Sequence, residues 1–364
     1  MEYKLSELFD LQMGKTPDRN NRAFWENGDI DWISIADLSK SEKYIKNTKE
    51  TITEAALIET GIKEIPQNTV IMSFKLSIGK VAITPKRMFS NEAIMAFIDK
   101  HAIEILPEYL FYLLKHKNWE DGTNKAVMGK TLNKATLSNV KIRVHGVEKQ
   151  KAIVKKLNLV WSIIDKKQKE LEYMDLLIRA RFVELFGDPI KNDKVWPVCS
   201  VENLCVDIYG GGTPSKSHPE YYENGDIPWI SSKDMKTEIL YDSQIHINAL
   251  GVENSTARIV PINSIIMVIR SGILKHTLPV AINAVPITVN QDLKVFIPGN
   301  QIDPRFMAVQ FKLIEKDILS GVRAVTADNI EFNSLKQRKL IVPDLELQKR
   351  FVLFVKQIDK SKVA

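Results

Sequence analysis

The chain has 364 residues, 44% hydrophobic and 26% charged, with 51 basic against 45 acidic side chains. That length is too great for one core and suggests two domains or slightly more, while the mixed charges, at a net +6, permit a polyanionic partner without demanding one. No apolar run approaches about 18 residues and the N-terminus lacks a signal-peptide pattern, so neither a membrane span nor secretion is expected, and a cytoplasmic location is.

In chain order, a Gly-Thr-Pro turn, GKTP, stands at 14–17 and is followed by FWENGDIDWISIADL at 24–38. Short β-branched runs bounded by Gly, Pro and Asn predict strands at 70–74, 80–83 and 93–98. Pro107 introduces a helix over 108–115. The segment 148–186 contains neither Pro nor Gly. Its apolar residues Ile153, Leu157, Val160, Ile164, Leu171, Met174, Ile178, Phe182 and Leu185 recur at steps of three, four or seven. That period predicts one long helix with an apolar stripe, about 58 Å from end to end. Gly187 and Pro189 stop it. Cys199 and Cys205, the only cysteines, are too few for a disulfide framework and lack zinc-site spacing, so they read as reduced, buried small residues.

Beyond the helix the pattern begins again. GGTP at 211–214 and YYENGDIPWISSKDM at 221–235 repeat the first copy at an offset of 197, the longer segment matching at nine of fifteen positions. EIPQNTVIMSF (64–74) parallels IVPINSIIMVI (259–269), SNEAI (90–94) parallels VNQDL (289–293), and VEKQKAIV (147–154) echoes LELQKRFV (345–352). Strands are predicted at 262–269, 280–284 and 293–297, and a helix over 305–315 after Pro304. The chain is thus a tandem duplication of an α+β unit, each copy followed by a helix. The second helix starts near Leu345, with Asp344 as its cap, and reaches Ala364 at about half the length of the first. Either the chain is truncated or this helix is short.

No catalytic constellation emerges. The glycines at 210–212 lack the Gly-Lys-Ser/Thr of a phosphate loop and read as a flexible turn. PDLELQK at 343–349 resembles a nuclease signature only superficially and reads as a helix cap with its first-turn acid. The six histidines are scattered without metal-ligand spacing. The repeated loops instead suit nucleic-acid contact: Lys15, Thr16, Arg19 and Arg22 against Thr213, Ser215 and Lys216; Lys75, Ser77 and Lys80 against Arg270, Ser271 and Lys275; Asn91 against Asn290 and Gln291; and Lys125, Lys130 and Lys134 against Arg323, Thr326 and Asn329. Such side chains supply bidentate base contacts or hold phosphates. Trp32 and Trp229, inside the repeated segment, read as core residues rather than base-stacking platforms.

The repeated G-x-TP…ENGDI-x-WIS pattern, the second copy following a long helix that ends ELFGDP, resembles the specificity subunit of Type I restriction–modification enzymes over nearly the whole chain. The resemblance implies two tandem target-recognition domains, 1–146 and 188–344, joined by a spacer helix at 147–187, with a second helix at 345–364 packing antiparallel to the first. It implies a non-catalytic subunit that reads a bipartite, asymmetric site on double-stranded DNA. Two methyltransferase subunits and restriction subunits would be its partners, and S-adenosylmethionine, ATP and Mg2+ would belong to them rather than to this chain. Subunit contacts are expected along Ile153, Leu157, Ile164, Leu171, Met174, Ile178 and Phe182 of the first helix and Phe351 and Val355 of the second. A stand-alone tandem DNA-binding regulator is the alternative.

Overall fold

A computed structural model describes residues 1–75, 77–119, 132–321, 323–324 and 328–363. The chain divides into two compact units, Met1–Lys166 and Lys167–Ala364.

In the first unit an antiparallel sheet runs in the order Phe9–Met13, Ile94–Asp99, Val70–Ser73, Val81–Ile83. Alternation along Val70–Ser73 points Val70 and Met72 into one apolar cluster and Ile71 into another, so this strand is buried on both faces. Helix Pro107–Lys115, opened by a proline at its first position, covers one face with Tyr109, Leu110, Phe111, Tyr112 and Leu114. A smaller sheet places Ile30–Ile33 between Glu50–Ile52, antiparallel, and Phe89–Ser90, parallel. The N-terminal strand Glu2–Lys4 pairs with Lys141–Arg143 just ahead of the long helix.

The second unit repeats this plan. Its sheet runs Cys205–Gly210, Leu293–Pro298, Ile265–Val268, Val280–Asn283, Ile239–Leu240. The smaller sheet sets Ile227–Ile230 between His246–Ile247 and Thr288–Val289. The extra edge strand, Ile239–Leu240, pairs parallel to Val280–Asn283; the first unit reduces that pairing to a single bridge between Tyr44 and Ile83. The predicted helix over 305–315 is instead Pro304–Leu313, broken at Ile314 before a short helix Glu315–Ser320.

The long helix is Val147–Phe186, 40 residues. It stops where Gly187 adopts a left-handed φ of 76° and its N–H returns to the Val183 carbonyl. Early in the helix, Val154 enters the first unit's core, with Ile153, Leu157 and Trp161 packed against it. Late in the helix, Ile178, Phe182 and Phe186 enter the second unit's core. There helix Leu345–Val363 lies antiparallel to it: the Phe182 and Phe351 rings are 5.5 Å apart, and Lys362 Nζ donates to Asp175 Oδ1 at 2.6 Å.

Each unit latches its following helix with the same buried side chain. Gln150 accepts from the Leu106 N–H and donates to the carbonyls of Glu104 and His145. Gln348 accepts from the Asp303 N–H and donates to those of Gln301 and Pro343. Both glutamines are fully buried, so their amides are satisfied by loop backbone that would otherwise be orphaned. A second latch has inverted polarity between the copies. In the first unit Lys43 pairs with Glu108, and Asn158 of the long helix bonds both. In the second, Arg305 pairs with Glu238 and with Asp359 of the C-terminal helix.

Candidate nucleic-acid interface

The repeated residues build a turn at the same place in each unit. Strand Phe9–Met13 ends beside the turn that follows Phe89–Ser90, where Gly14 N–H bonds the Ile94 carbonyl and Lys15 N–H the Ser90 carbonyl. A Cβ on Gly14 would lie 2.1 Å from the Ser90 carbonyl oxygen, and one on Gly211 would lie 2.0 Å from that of Val289. Gly211 is therefore required for close backbone approach, not for flexibility as its run of glycines suggested. The indole N–H of Trp32 donates to the Lys15 carbonyl at 3.1 Å, and that of Trp229 to the Gly212 carbonyl at 2.9 Å. Both tryptophans are core residues whose polar edge pins the turn.

The rest of the repeated segment has matching local reasons. Asn27 and Asn224 take left-handed φ values of 57° and 52°, a conformation asparagine tolerates better than most residues. A side chain on Gly28 or Gly225 would strike the backbone of Ile52 or His246. Ser34 and Asp37 form a capping box, with the Ser34 N–H and hydroxyl on Asp37 Oδ2 at 2.9 and 2.6 Å. Ser231 and Asp234 repeat those bonds, and the second oxygen of each aspartate takes the N–H of Lys49 or Gln244.

This frame presents a threonine and an exposed longer side chain in each unit. The Thr16 hydroxyl donates to the Glu92 carboxylate, and the Thr213 hydroxyl donates to Gln291 Oε1. Asn91 and Asn290 sit one residue earlier and use their side-chain oxygens on the N–H groups of Ala93 and Asp292. They shape the turn, and Asn290 is buried while doing so. The Thr16 hydrogen bond, opposed by partial burial and helped by Lys75 and Arg19, holds Glu92 below the ordinary carboxylate range. Glu92 escaped sequence reasoning because an acid does not suggest DNA. Its alignment with Gln291 in the SNEAI/VNQDL repeat was the available signal.

Other expected contacts are distributed more widely. Arg19 stacks 3.9 Å above the Trp25 ring and pairs with Glu50, which braces the first turn. Tyr222 does that work in the second, donating to the Pro214 carbonyl at 2.6 Å. Lys15 Nζ reaches the Thr60 carbonyl, Lys80 Nζ the Ser39 hydroxyl, and Arg22 lies 3.6 Å from Glu26. Lys75 Nζ lies over the Phe74 ring. Arg270 is clamped by Asp292, next to Gln291, through Nε at 2.7 Å and Nη2 at 2.6 Å. Ser215 bonds Ser217, Lys216 is exposed, Ser271 caps the 3-10 turn Gly272–Lys275, and Lys275 closes that turn. Lys125 and Lys130 lie outside the described residues, as does the side chain of Arg323.

On the helices, Ile178, Phe182, Phe351 and Val355 are buried within the chain itself, so they are covered without a second subunit. Ile153, Leu157 and Met174 are half-buried, whereas Ile164 and Leu171 are exposed together with Leu159, Val160, Ile163, Leu176 and Leu177. Among the described residues no group of three or more His, Cys, Asp or Glu could hold a metal ion, and no helix is long and apolar enough to cross a membrane.

The profile of the Type I restriction modification DNA specificity domain matches residues 1–173 and again 195–364. The chain is 25% identical over 387 aligned positions to the MjaIX specificity subunit of Methanocaldococcus jannaschii, covering 99% of this chain and 88% of that one. It is 38% identical over 153 positions to the EcoR124I/EcoR124II specificity subunit of Escherichia coli, covering 42% of this chain and 38% of that one. Among solved structures, the S subunit of a Type I restriction-modification system from M. genitalium shares its fold with a TM-score of 0.55 at 14% identity, covering all of this chain and 90% of the other. The chain belongs to the Type I restriction–modification specificity family and carries two copies of its DNA specificity domain.

Proposed function

We propose that this specificity subunit reads a bipartite, asymmetric DNA target, one half through the turns of each unit. The observation that carries this reading is the pair of similarly built turns presenting different side chains: Thr16 with Glu92 in one unit, Thr213 with Gln291 in the other, where Arg270 is clamped beside Gln291 by Asp292. A common frame with different tips is what two readers of unlike half-sites require. Residues 1–146 and 188–344 are the recognition domains in this proposal, and 147–187 and 345–364 the spacer helices. The subunit is non-catalytic. Adenine methylation and restriction fall to two methyltransferase subunits and to restriction subunits, which bring S-adenosylmethionine, ATP and Mg2+. The exposed apolar residues Leu159, Val160, Ile163, Ile164 and Leu171 are the surface available to a partner.

Exchanging residues 1–146 for the corresponding unit of another specificity subunit, then mapping methylated sites, tests the assignment. One half of the target should change and the other should persist; a change in both halves would refute the division of labour. Inserting four residues in mid-helix adds about 6 Å, close to two base pairs of duplex. The insertion should alter the gap between half-sites while preserving both.

A further inference from the structure

The position occupied by Glu92 in one unit and Gln291 in the other is built the same way twice, and its chemistry differs. Each residue follows an asparagine that closes the turn, each is exposed, and each meets the hydroxyl of the Gly-x-Thr-Pro threonine. A threonine bond on one oxygen removes rotational freedom from a long side chain, so the remaining groups point in a defined direction. In unit one these are the other carboxylate oxygen and unshared lone pairs, all acceptors. In unit two they are a lone pair on Oε1 and both Nε2 hydrogens, an acceptor beside a donor.

We propose that residues 92 and 291 are the equivalent base-reading positions of the two domains, Glu92 selecting cytosine and Gln291 selecting adenine in the major groove. This rests on the half-site reading above. An acceptor-only carboxylate needs an exocyclic amine. On its own edge cytosine sets N4 beside C5–H, whereas adenine N6 adjoins N7, whose lone pair would face the second carboxylate oxygen. An amide matches adenine, taking N6–H on Oε1 and giving Nε2–H to N7. A carboxylate near phosphates is repelled unless compensated, and Lys75 and Arg19 lie close enough to Glu92 to act on its charge. The second unit instead has Arg270 clamped by Asp292 beside a neutral reader.

The test uses the full chain with its methyltransferase subunits and duplexes selected from a random-sequence library, read by sequencing. Glu92→Gln should shift one base pair of the first half-site from C toward A, with the original duplex losing about 10- to 100-fold in affinity. Gln291→Glu should make the reverse change in the second half-site only. Thr16→Val should broaden tolerance at the Glu92 base without naming a new base. If the wild type selects a bipartite site and both isosteric variants select the same site, the base assignment is overturned while the half-site reading stands. If the wild type selects no bipartite site, both fall together.

Discussion

Replacing Gly211 by alanine places a methyl group where the backbone of the next turn already lies. The added Cβ would be 2.0 Å from the Val289 carbonyl oxygen and 2.4 Å from that of Asn290. Carbon and carbonyl oxygen approach no closer than about 3.3 Å in favourable contacts, so the two segments must part by roughly 1 Å. That separation breaks the Gly212 N–H bond to Val289 at 3.0 Å and draws the Gly212 carbonyl from the Trp229 indole at 2.9 Å. Overpacking costs about 1–3 kcal/mol, and each lost hydrogen bond about 1 kcal/mol more. A total of about 3 kcal/mol lowers the second unit's Tm by about 6–12 °C, at about 2–4 °C per kcal/mol for a unit of this size. Gly272 in the same unit is the control. Beyond its own chain neighbours no heavy atom lies within 4 Å of its Cβ position, and its φ is not left-handed. Gly272→Ala should change stability by less than about 0.5 kcal/mol. Differential scanning calorimetry on the full chain separates the cases, and selection from random duplexes should show Gly211→Ala losing only the second half-site. Equal melting temperatures for the two variants would refute the steric account of the turn.

Gln348→Leu strands the Asp303 N–H and two carbonyls in the interior, and should cost about 2–4 kcal/mol by denaturant unfolding, with Gln150→Leu doing the same in the first unit. Glu238 is pulled below the ordinary glutamate range, because Arg305, with Lys362 and Lys312, outweighs the opposing effect of burial. A depressed folded pKa stabilises above the unfolded value and is lost as pH falls through the folded one. The stability gap between wild type and Glu238→Gln should therefore be full at neutral pH and close in acid; a gap that widened in acid would contradict the pairing. Burial pushes the Cys205 thiol up to about 12, so it should resist alkylation at pH 8 in the native protein and react on unfolding, as mass spectrometry of the labelled peptide would show.

Much of the fold could be read from residues. Periodicity located the long helix to within one residue at its start, because nothing in 148–186 competes with a helical stripe and Gly187 ends it. The duplication revealed two like units before any element was placed. The strand at Ile30–Ile33 was not legible, since its short run mixes Asp31 and Trp32 and owes its pairing to distant segments at 50–52 and 89–90. The break at Ile314 within the expected helix over 305–315 also depends on context. The Leu278 N–H and Lys312 both bond Glu315, which starts a new turn there.

The site was legible as a set of loops rather than as roles. Trp32 and Trp229 lie in the core, as their place inside the repeated segment predicts, but the use of their N–H groups to hold the turns depends on which carbonyl lies within reach. Asn290 has a side chain suited to adenine and spends it on its own turn, while its neighbour Gln291 faces outward. Composition cannot distinguish those two uses of an amide. The apolar stripe likewise mixes residues buried in the chain, Ile178 and Phe182, with exposed ones such as Ile164 and Leu171.

The most direct measurement of the central claim is genome-wide mapping of adenine methylation in cells carrying the methyltransferase subunits, with and without this chain. Two different half-sites separated by a fixed gap, methylated only when the chain is present, are the expected result. A single contiguous target, or a methylation pattern indifferent to the chain, would contradict it.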